Sequence, residues 1–382
     1  MTRKLNLTAL ILAFVMMITS CSADNKAEES ETTDSSSTAA ASRFLYTTEG
    51  KKLVRYDVVE HKEIVACPDP LCEHDTEDCP VSKISLVHIT SEYIAFVKEI
   101  FDDETCELYL YDLSDGSIAT IATGMSQIYY PWVSANRDYV FYTASVLLFD
   151  DNGNSTDEIW YAYRYNIESG ELETINGNEK IATGYRVIED SGNSLVWYDM
   201  LAGMYYTSDY DFGNFEEYDF IGETVCGYYI YSDIKWTEYD DYYRTVYKED
   251  IESGEVEQIL DNVSELRYDD IYSPSGIAYA GFNYNEEYGF NAKSEIWYYD
   301  FETGESRLLI DVKDISDDFD YVRIQNHAGY YDYAGGYIMV YIGHTYTYIS
   351  EYDGEEYMSA NSTHRLFINP ETGDWFIMEP LY

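Results

Sequence analysis

The sequence predicts an all-β protein, a β-propeller of seven blades with six and eight as the alternatives. Three observations support this fold class. Short runs rich in Tyr, Ile, Val, Phe and Trp alternate with clusters of Asp, Glu, Gly, Asn and Ser from residue 43 onward. No long apolar stripe with a helical period interrupts them. A hairpin phrase recurs, in which a strand ends at Asp or Asn, a Gly-centred turn follows, and a second strand begins.

The hairpin phrase repeats at intervals that suit propeller blades. Asp or Asn accepts hydrogen bonds from its own turn, and Gly adopts the positive φ of a tight turn. Successive turns are 55, 54, 43, 41, 50 and 69 residues apart, a period typical of blades with about four short strands. The last interval also admits a longer hairpin at 350–361 or an eighth unit, and a β-sandwich with a second β domain is the alternative fold. The turn positions are His61, Gly116, Gly170, Gly213, Gly254, Gly304 and Gly373.

The first twenty residues are predicted to be a bacterial lipoprotein signal peptide. Arg3 and Lys4 precede an apolar run that is too short for a membrane span, and the run ends in Ile18-Thr19-Ser20-Cys21. In a lipoprotein the Cys21 thiol carries the lipid after cleavage. The alternative is an ordinary signal peptide with a chance cysteine. The predicted organisation is a signal peptide at 1–20, a lipidated cysteine with a flexible acidic tether at 21–42, and a propeller at 43–382 with a Cys/His loop at 67–80.

The charge of the chain excludes one class of partner. Asp and Glu number 72 against 23 Lys and Arg, which gives a formal net charge of −49. Nucleic-acid binding needs a basic face, so we expect no nucleic acid as a partner. Charge also argues against adhesion to anionic lipids, which leaves the lipid anchor as the contact with the membrane. We therefore expect the protein at the extracytoplasmic face of a bacterial cell membrane.

Three cysteines and one histidine lie within thirteen residues, at Cys67, Cys72, His74 and Cys79. Four sulfur and nitrogen donors match the tetrahedral coordination of zinc, and a site filled by protein ligands is typical of structural rather than catalytic zinc. The sequence therefore predicts a structural zinc as the only cofactor. The alternatives are a disulfide between Cys67 and Cys79, and inert or redox-active thiols.

The Tyr-Asp-x-x-(Ser/Thr)-Gly hairpins resemble those of extracytoplasmic bacterial propellers of the TolB-like and quinoprotein-like superfamily. The lipoprotein box, the Ser/Thr-rich tether, the Tyr-rich blades and the Cys-x4-Cys-x-His-x4-Cys element together resemble Tyr-rich propeller lipoproteins of anaerobic Gram-positive gut bacteria. The resemblance covers most of the chain after Arg43. It implies the fold and the location, and it implies no activity.

Catalytic motifs are absent from the sequence, which has no Gly-x-Ser-x-Gly, no His-Glu-x-x-His and no phosphate-binding loop. We therefore name no catalytic residue and expect a non-catalytic binding or scaffold protein for a cell-surface protein, peptide or glycan. The alternatives are a glycan lyase or hydrolase that acts in the central funnel of the propeller, and a solute-capture lipoprotein. Histidines outside the Cys/His loop, His88 among them, are expected at the surface or in turns.

Most of the 43 tyrosines suit strands that bury a ring and leave its hydroxyl hydrated. Clusters between the hairpins are candidates for another role, because exposed rings at the mouth of a propeller stack on sugars or peptide side chains. The candidates for such a ligand platform are Tyr129, Tyr130, Trp132, Tyr330 and Tyr331.

Overall fold

The computed structural model describes one compact unit within Ala39–Tyr382. The predicted signal peptide, Cys21 and the tether lie outside the described residues. Within the described ranges, no helix has the length and hydropathy needed to cross a membrane. These ranges are 44–60, 62–74, 76, 78–100, 105–150, 155–174, 185–199, 202–212, 215–218, 222–225, 227–236, 242–269, 274–285, 290–291, 293–324, 330–331, 336–350, 354 and 356–378.

The strands follow one another as antiparallel meanders, as expected for propeller blades. Blade 1 has three described strands, and blades 2 and 3 have four consecutive strands each. Their bounds are Phe44–Glu49 (β1), Lys52–Asp57 (β2) and Lys62–Val65 (β3) in blade 1; Ile84–Ile89 (β4), Tyr93–Ile100 (β5), Thr105–Asp112 (β6) and Ile118–Met125 (β7) in blade 2; and Gln127–Val133 (β8), Tyr139–Phe149 (β9), Ser155–Asn166 (β10) and Leu172–Thr174 (β11) in blade 3.

The second half of the chain continues the same pattern. The strands of blade 4 are Tyr185–Asp190 (β12), Ser194–Asp199 (β13), Met204–Asp209 (β14) and Glu216–Tyr218 (β15). Blades 5 and 6 comprise Glu223–Val225 (β16), Tyr228–Trp236 (β17), Tyr242–Asp250 (β18), Val256–Tyr268 (β19), Gly276–Gly281 (β20), Tyr284–Asn285 (β21), Phe290–Asn291 (β22), Glu295–Asp300 (β23) and Ser306–Asp311 (β24). A 3-10 helix at Val312–Asp314 precedes blade 7, whose strands are Tyr321–Arg323 (β25), Ile338–Ile349 (β27), Glu356–Ile368 (β28) and Trp375–Met378 (β29). Between β25 and β27 in the chain, Tyr330–Tyr331 (β26) pairs instead with β4 at the edge of the blade 2 sheet.

Strand β19 belongs to two blades, which explains why blades 5 and 6 form one seven-stranded sheet. Its first half pairs with β18 as the outer strand of blade 5. Its second half pairs with β20 as the inner strand of blade 6. The register shifts where the two halves meet, so a single strand carries the chain from one blade to the next.

Contacts between successive blades close the sheets into a ring of seven. Buried apolar clusters join blade 1 to blade 2, 2 to 3, 3 to 4, 5 to 6 and 6 to 7. Blades 4 and 5 meet where the Glu189 carboxyl group is hydrogen-bonded by Thr224. A further cluster joins blade 7 back to blade 1. The structure is therefore an all-β propeller, which confirms the predicted fold class.

The contact that closes the ring combines stacked rings with a buried ion pair. The ring of Tyr56 in β2 stacks on Phe376 of β29 with 4.8 Å between the ring centroids. Beside it, an Arg365 nitrogen lies 3.3 Å from a Glu63 oxygen, and the two side chains are only 3% and 6% exposed. The pair joins the last blade to the first by a hydrogen bond. Because both side chains are buried, water cannot solvate one of them if the other is removed.

The recurring turns form as the hairpin phrase predicts. At Asp300, the carboxylate accepts the amides of Glu302 (2.9 Å) and Thr303 (2.8 Å), and the carbonyl accepts the Gly304 amide (2.9 Å). Gly304 has φ +70°, a conformation that favours glycine. The same carbonyl bond closes the turns that end at Gly116, Gly170, Gly254 and Gly373. The predicted positions His61 and Gly213 lie outside the described residues.

Long hairpins project from one end of the ring. Because strands alternate in direction, the first and third strands of every blade begin at the same end of the ring. The turns that join the second and third strands lie at this end, which we call the hairpin face. The second and third strands of blades 3, 5 and 7 have 9 to 13 residues, whereas those of blade 4 have 6. The hairpin of β27 and β28 accounts for the last, widest interval between the turns.

His88 lies in the core, which corrects the expectation of a surface position. It is fully buried, its Nδ1 accepts the amide of Val133 at 2.9 Å, and its ring stacks on Trp132 with 4.6 Å between centroids. The histidine therefore joins the inner strands of blades 2 and 3. Burial, with a smaller effect of the charge on Arg137, lowers the pKa of His88 to about 3.

The Arg365→Met variant tests the closing ion pair. Removing one partner of a buried pair leaves the other charge without compensation, so we expect a loss of about 3–5 kcal/mol in the free energy of unfolding. Chemical denaturation measures it. The matched control is Lys51→Met, which removes an exposed pair with Glu99 and should change the unfolding free energy by less than about 1 kcal/mol. Equal effects of the two substitutions would contradict the closing role.

The low pKa of His88 predicts a specific acid sensitivity. Since the folded-state pKa is about 3 and the ordinary value is 6.5, the neutral ring stabilises the fold fully above pH 6.5, and this contribution declines as the pH falls towards 3. The slope approaches about 1.4 kcal/mol per pH unit. His88→Asn keeps an acceptor for the Val133 amide and does not titrate. Denaturation between pH 4 and 7 should therefore show a smaller loss for this variant than for the parent chain.

Candidate metal centre and aromatic surfaces

The Cys/His loop connects the outer strand of blade 1 to the inner strand of blade 2. Two turns shape it: the Cys72 amide donates to the Asp69 carbonyl, and the Cys79 amide donates to the Thr76 carbonyl, each at 3.2 Å. The Asp69 carboxylate also accepts the Leu71 amide at 2.8 Å. These turns reverse the chain twice within a few residues and direct the four donor side chains towards one point.

The four predicted ligands meet in the structure. The sulfur atoms of Cys67, Cys72 and Cys79 and a ring nitrogen of His74 all lie within 4.8 Å of one another. The Cys79 sulfur is 3.8 Å from Nδ1 of His74. Ligand atoms around a tetrahedral ion with zinc–sulfur bonds of about 2.3 Å are roughly 3.8 Å apart, so the set fits a four-coordinate ion after small adjustments. The loop is therefore placed to bind a metal ion.

Hydrogen bonds attach this loop firmly to blade 2. The Cys79 carbonyl accepts the amino group of the buried Lys98 at 2.9 Å and the hydroxyl of Ser82 at 3.0 Å. Cys79 itself is fully buried, whereas Cys67, Cys72 and His74 are half-buried. A bound ion would thus be linked to blade 2 through the buried Cys79 and partly shielded from solvent by the rest of the loop.

All the described cysteines, which include the three of the loop and Cys106, carry free thiols. The geometry thus contains no disulfide between Cys67 and Cys79. Burial raises the pKa of Cys67, and it raises the pKa of Cys79 to about 12. In the metal-free chain these groups are protonated, and a metal ion would replace the protons because thiolate is the coordinating form.

The residues predicted as a ligand platform occupy different environments. Tyr129 and Tyr130 are half-buried on the inner strand of blade 3. Trp132 lies instead in the core, 2% exposed, because the bulge between Tyr129 and Trp132 turns its ring towards blade 4. Tyr330 and Tyr331 form β26, which pairs in parallel with β4; their side chains are outside the description.

A buried carboxylate explains the position of Trp132. Asp190 of blade 4 accepts the Trp132 indole N–H at 3.3 Å and the Ala135 amide at 2.7 Å on one oxygen. Its other oxygen accepts the hydroxyl of Tyr210 and the Gly192 amide. Asp190 therefore satisfies polar groups from both blades at their junction, and Trp132 is held there as a core residue.

The aromatic residues that are most exposed were not singled out from the sequence. Of the five in the described part of the chain, four lie on the long hairpins: Trp236 in blade 5 is 66% exposed, and Tyr346, Tyr348 and Tyr357 in blade 7 are 44%, 46% and 37% exposed. The fifth, Trp375, is 46% exposed and begins β29, the outer strand of blade 7. A sequence signal exists for part of this set, since aromatic residues alternate with Thr at 344–348. Such alternation places rings on one face of a strand, but it does not tell whether that face is buried.

Comparisons with known proteins establish no family. No family model and no curated protein matches the sequence. The fold is similar to TolB from Acinetobacter baumannii, with 16% identity, 69% of this chain and 62% of that chain covered, and a TM-score of 0.39. It is also similar to an oligogalacturonate lyase from Vibrio parahaemolyticus (12% identity, 87% and 93% covered, TM-score 0.43) and to a puromycin hydrolase (13%, 92% and 57%, 0.42). At these values the similarities indicate no activity.

Metal removal tests the Cys/His centre. We expect the chain purified without chelator to carry about one metal ion, measured by elemental mass spectrometry, and Cys79→Ser to lose it. A metal ion present at about 1,000 times its dissociation constant stabilises the folded state by roughly 4 kcal/mol. Chelator should therefore lower the unfolding midpoint of the parent chain and leave that of Cys79→Ser unchanged. Cys106→Ser, which removes a thiol outside the loop, is the matched control. Absence of both metal and free thiols in the loop would favour the disulfide.

Proposed function

We propose that the protein is a non-catalytic binding or scaffold protein whose hairpin face recognises a cell-surface protein, peptide or glycan. The observation that carries this proposal is the exposure of large aromatic side chains on the projecting hairpins of blades 5 and 7. Exposed rings gathered at one end of a molecule typically mark a surface that another molecule covers. Aromatic residues are also the ones that contribute most to such contacts.

The blade 7 hairpin presents its rings as a ladder. His344, Tyr346 and Tyr348 are alternate residues of β27, with ring centroids 6.4 and 6.2 Å apart. Tyr357 of β28 continues the row at 6.0 Å from Tyr348. Alternate side chains share one face of a strand, so the ladder is a continuous row of rings, tilted against one another by 29° to 54°. Sugar rings and the side chains of an extended peptide can both stack along such a row.

Zinc is the metal that we propose for the Cys/His centre. Three sulfur donors and one imidazole favour zinc over the oxygen-seeking calcium and magnesium ions. All four positions are supplied by the chain, which suits a structural role. The ion would stiffen the connection between blades 1 and 2 and would supply no open position for a substrate.

The location follows from the N-terminal sequence. We infer a lipid at Cys21 that holds the chain at the extracytoplasmic face of the membrane, with residues 22–42 as a tether. A flexible tether of this length has an average span of roughly 25 Å. The propeller would then face partners at the cell surface, and the net charge of −49 would keep it from adhering to anionic lipid headgroups.

An enzyme is the second candidate, and one observation favours it. Burial raises the pKa of Glu189, a carboxyl group on the inner strand of blade 4, although hydrogen bonds from Thr224 oppose the shift. A carboxyl group that retains its proton can act as a general acid. This alternative is weaker because the described part of the chain brings no histidine or second such acid beside Glu189, and lyase or hydrolase chemistry needs a partner group.

Site-specific crosslinking in cells tests the binding role. We expect a photoreactive residue at Tyr348 or Trp236 to capture one dominant partner, identified by mass spectrometry as protein or glycan. The matched control is the same residue at Leu172, which is 44% exposed, close to the 46% of Tyr348, but lies on the outer strand of blade 3. Capture from all three positions alike, or from none, would contradict a binding surface on the hairpins.

A further inference from the structure

Arg186, the second residue of β12, is a cation that has no anionic partner in the described part of a strongly acidic protein. The chain has 72 Asp and Glu for 23 Lys and Arg. Two described arginines pair with carboxylates, Arg365 with Glu63 and Arg164 with Glu173 and Asp211, and others donate to carbonyl groups, as Arg137 does to Ser134. No hydrogen bond or ion pair joins the Arg186 side chain to another residue within the described ranges, and its Nε atom is buried without a partner there. A buried donor left unpaired is costly, so its presence calls for an explanation.

Two aromatic rings hold the Arg186 guanidinium in place. Its central carbon lies 5.6 Å from the ring centroid of Tyr130 in blade 3 and 5.2 Å from that of Tyr198 in blade 4. These cation–π contacts stabilise the position of the charge without neutralising it. Arg186 is itself partly exposed and Nε is its only nitrogen that is buried without a partner, so the edge formed by the two terminal nitrogens remains available to a ligand. That edge matches the two oxygens of a carboxylate.

A stack of rings continues from Arg186 across blade 3. Tyr130 stacks on Tyr129 with 5.9 Å between centroids, and Tyr129 stacks on Trp160 with 5.0 Å and an interplanar angle of 2°. All three rings are half-buried, so each leaves part of its surface open. The cation therefore stands at the end of a row of stacked rings, which we call the aromatic wall. We call Trp160, Tyr129, Tyr130, Arg186 and Tyr198 the Arg186 stack.

The backbone of Tyr130 is strained where it supports this arrangement. Tyr130 has φ +40°, in the left-handed region, at the bulge of β8 between Tyr129 and Trp132. A residue with a side chain pays about 1–2 kcal/mol for this conformation. Without the bulge, Tyr130 would alternate to the opposite side of the strand. The strain thus places its ring over Arg186, as is common where a site is preorganised.

We propose that the Arg186 stack binds a small ligand that carries a carboxylate beside a ring. The carboxylate would form paired hydrogen bonds with Arg186, and the ring would lie against the aromatic wall of Tyr129 and Tyr130. The acidity of the chain limits the ligand to one or few negative charges, since a dense polyanion would be repelled by the net charge of −49. Two sources share this chemistry: an acidic sugar residue and a free aromatic acid.

This inference goes beyond the proposed function because it uses none of the exposed hairpin residues. The Arg186 stack lies between blades 3 and 4 at the hairpin face, on the first residues of β8 and β12 and the end of β13. The crosslinking experiment at Tyr348 and Trp236 does not depend on it. Failure of one proposal therefore leaves the other intact.

Titration of the purified, metal-loaded chain tests the proposal. The probes are glucuronate, benzoate and uncharged glucose, and the readouts are tryptophan fluorescence, which Trp160 reports, and calorimetry. We expect a carboxylate probe to bind and glucose not to bind. Loss of the paired, charged hydrogen bonds in Arg186→Met should weaken binding by about tenfold or more. Binding of glucuronate alone supports an acidic sugar, and binding of benzoate alone supports an aromatic acid.

The matched control is Arg244→Met. Arg244 also has a buried Nε atom without a partner and lies over a single ring, 5.3 Å from the centroid of Tyr242, but the next ring, Trp236, is tilted by 58° instead of stacked. This variant should keep the affinity of the parent chain. If Arg186→Met does not fold, the guanidinium NMR signals of the parent chain, assigned through Arg186→Lys, replace it and should shift on addition of the carboxylate probe. Equal binding of glucose, no binding of either carboxylate, or an unchanged affinity in Arg186→Met would overturn the proposal.

Discussion

The contact between blades 1 and 7 is the constraint on which the rest of the molecule depends. Tyr56 and Phe376 lie near opposite ends of the described chain, yet their rings are stacked, and the Glu63–Arg365 pair is buried beside them. Each blade packs mainly against its two neighbours, so an unclosed ring would expose an apolar sheet face at both ends. Closure removes these faces from water and fixes the angle between successive blades.

Because the blades are fixed in this way, the junctions between them are where side chains from distant parts of the chain can meet. The Cys/His loop connects blades 1 and 2, and Asp190 satisfies polar groups of both blades 3 and 4. The Arg186 stack lies at the same junction of blades 3 and 4. Within a blade, neighbouring strands supply mostly strand-forming residues. Chemistry that needs several different groups therefore concentrates between blades and at their ends.

Whether a feature could be predicted from the sequence depends on how far apart along the chain its interacting residues lie. The Asp300 turn forms from bonds among residues 300 to 305, and the metal ligands lie within thirteen residues of one another. Both were predictable because short segments contain all the interacting groups. Trp132 and His88 were misplaced because their partners, Asp190 and Val133, belong to the next blade. Nothing in the sequence near Trp132 reveals a carboxylate 58 residues later.

The sequence by itself determined the strands, the turns, the blade period and the Cys/His ligand set, since hydrogen bonds and chelation within a few residues depend on local order alone. Only the tertiary structure decided which aromatic rings are exposed. Tyr129 and Trp132 are three positions apart in a similar aromatic run, yet a bulge leaves one half-exposed and buries the other. It also decided that Arg186 meets Tyr130, because burial and side-chain contacts depend on the neighbouring blade, which a separate part of the chain supplies.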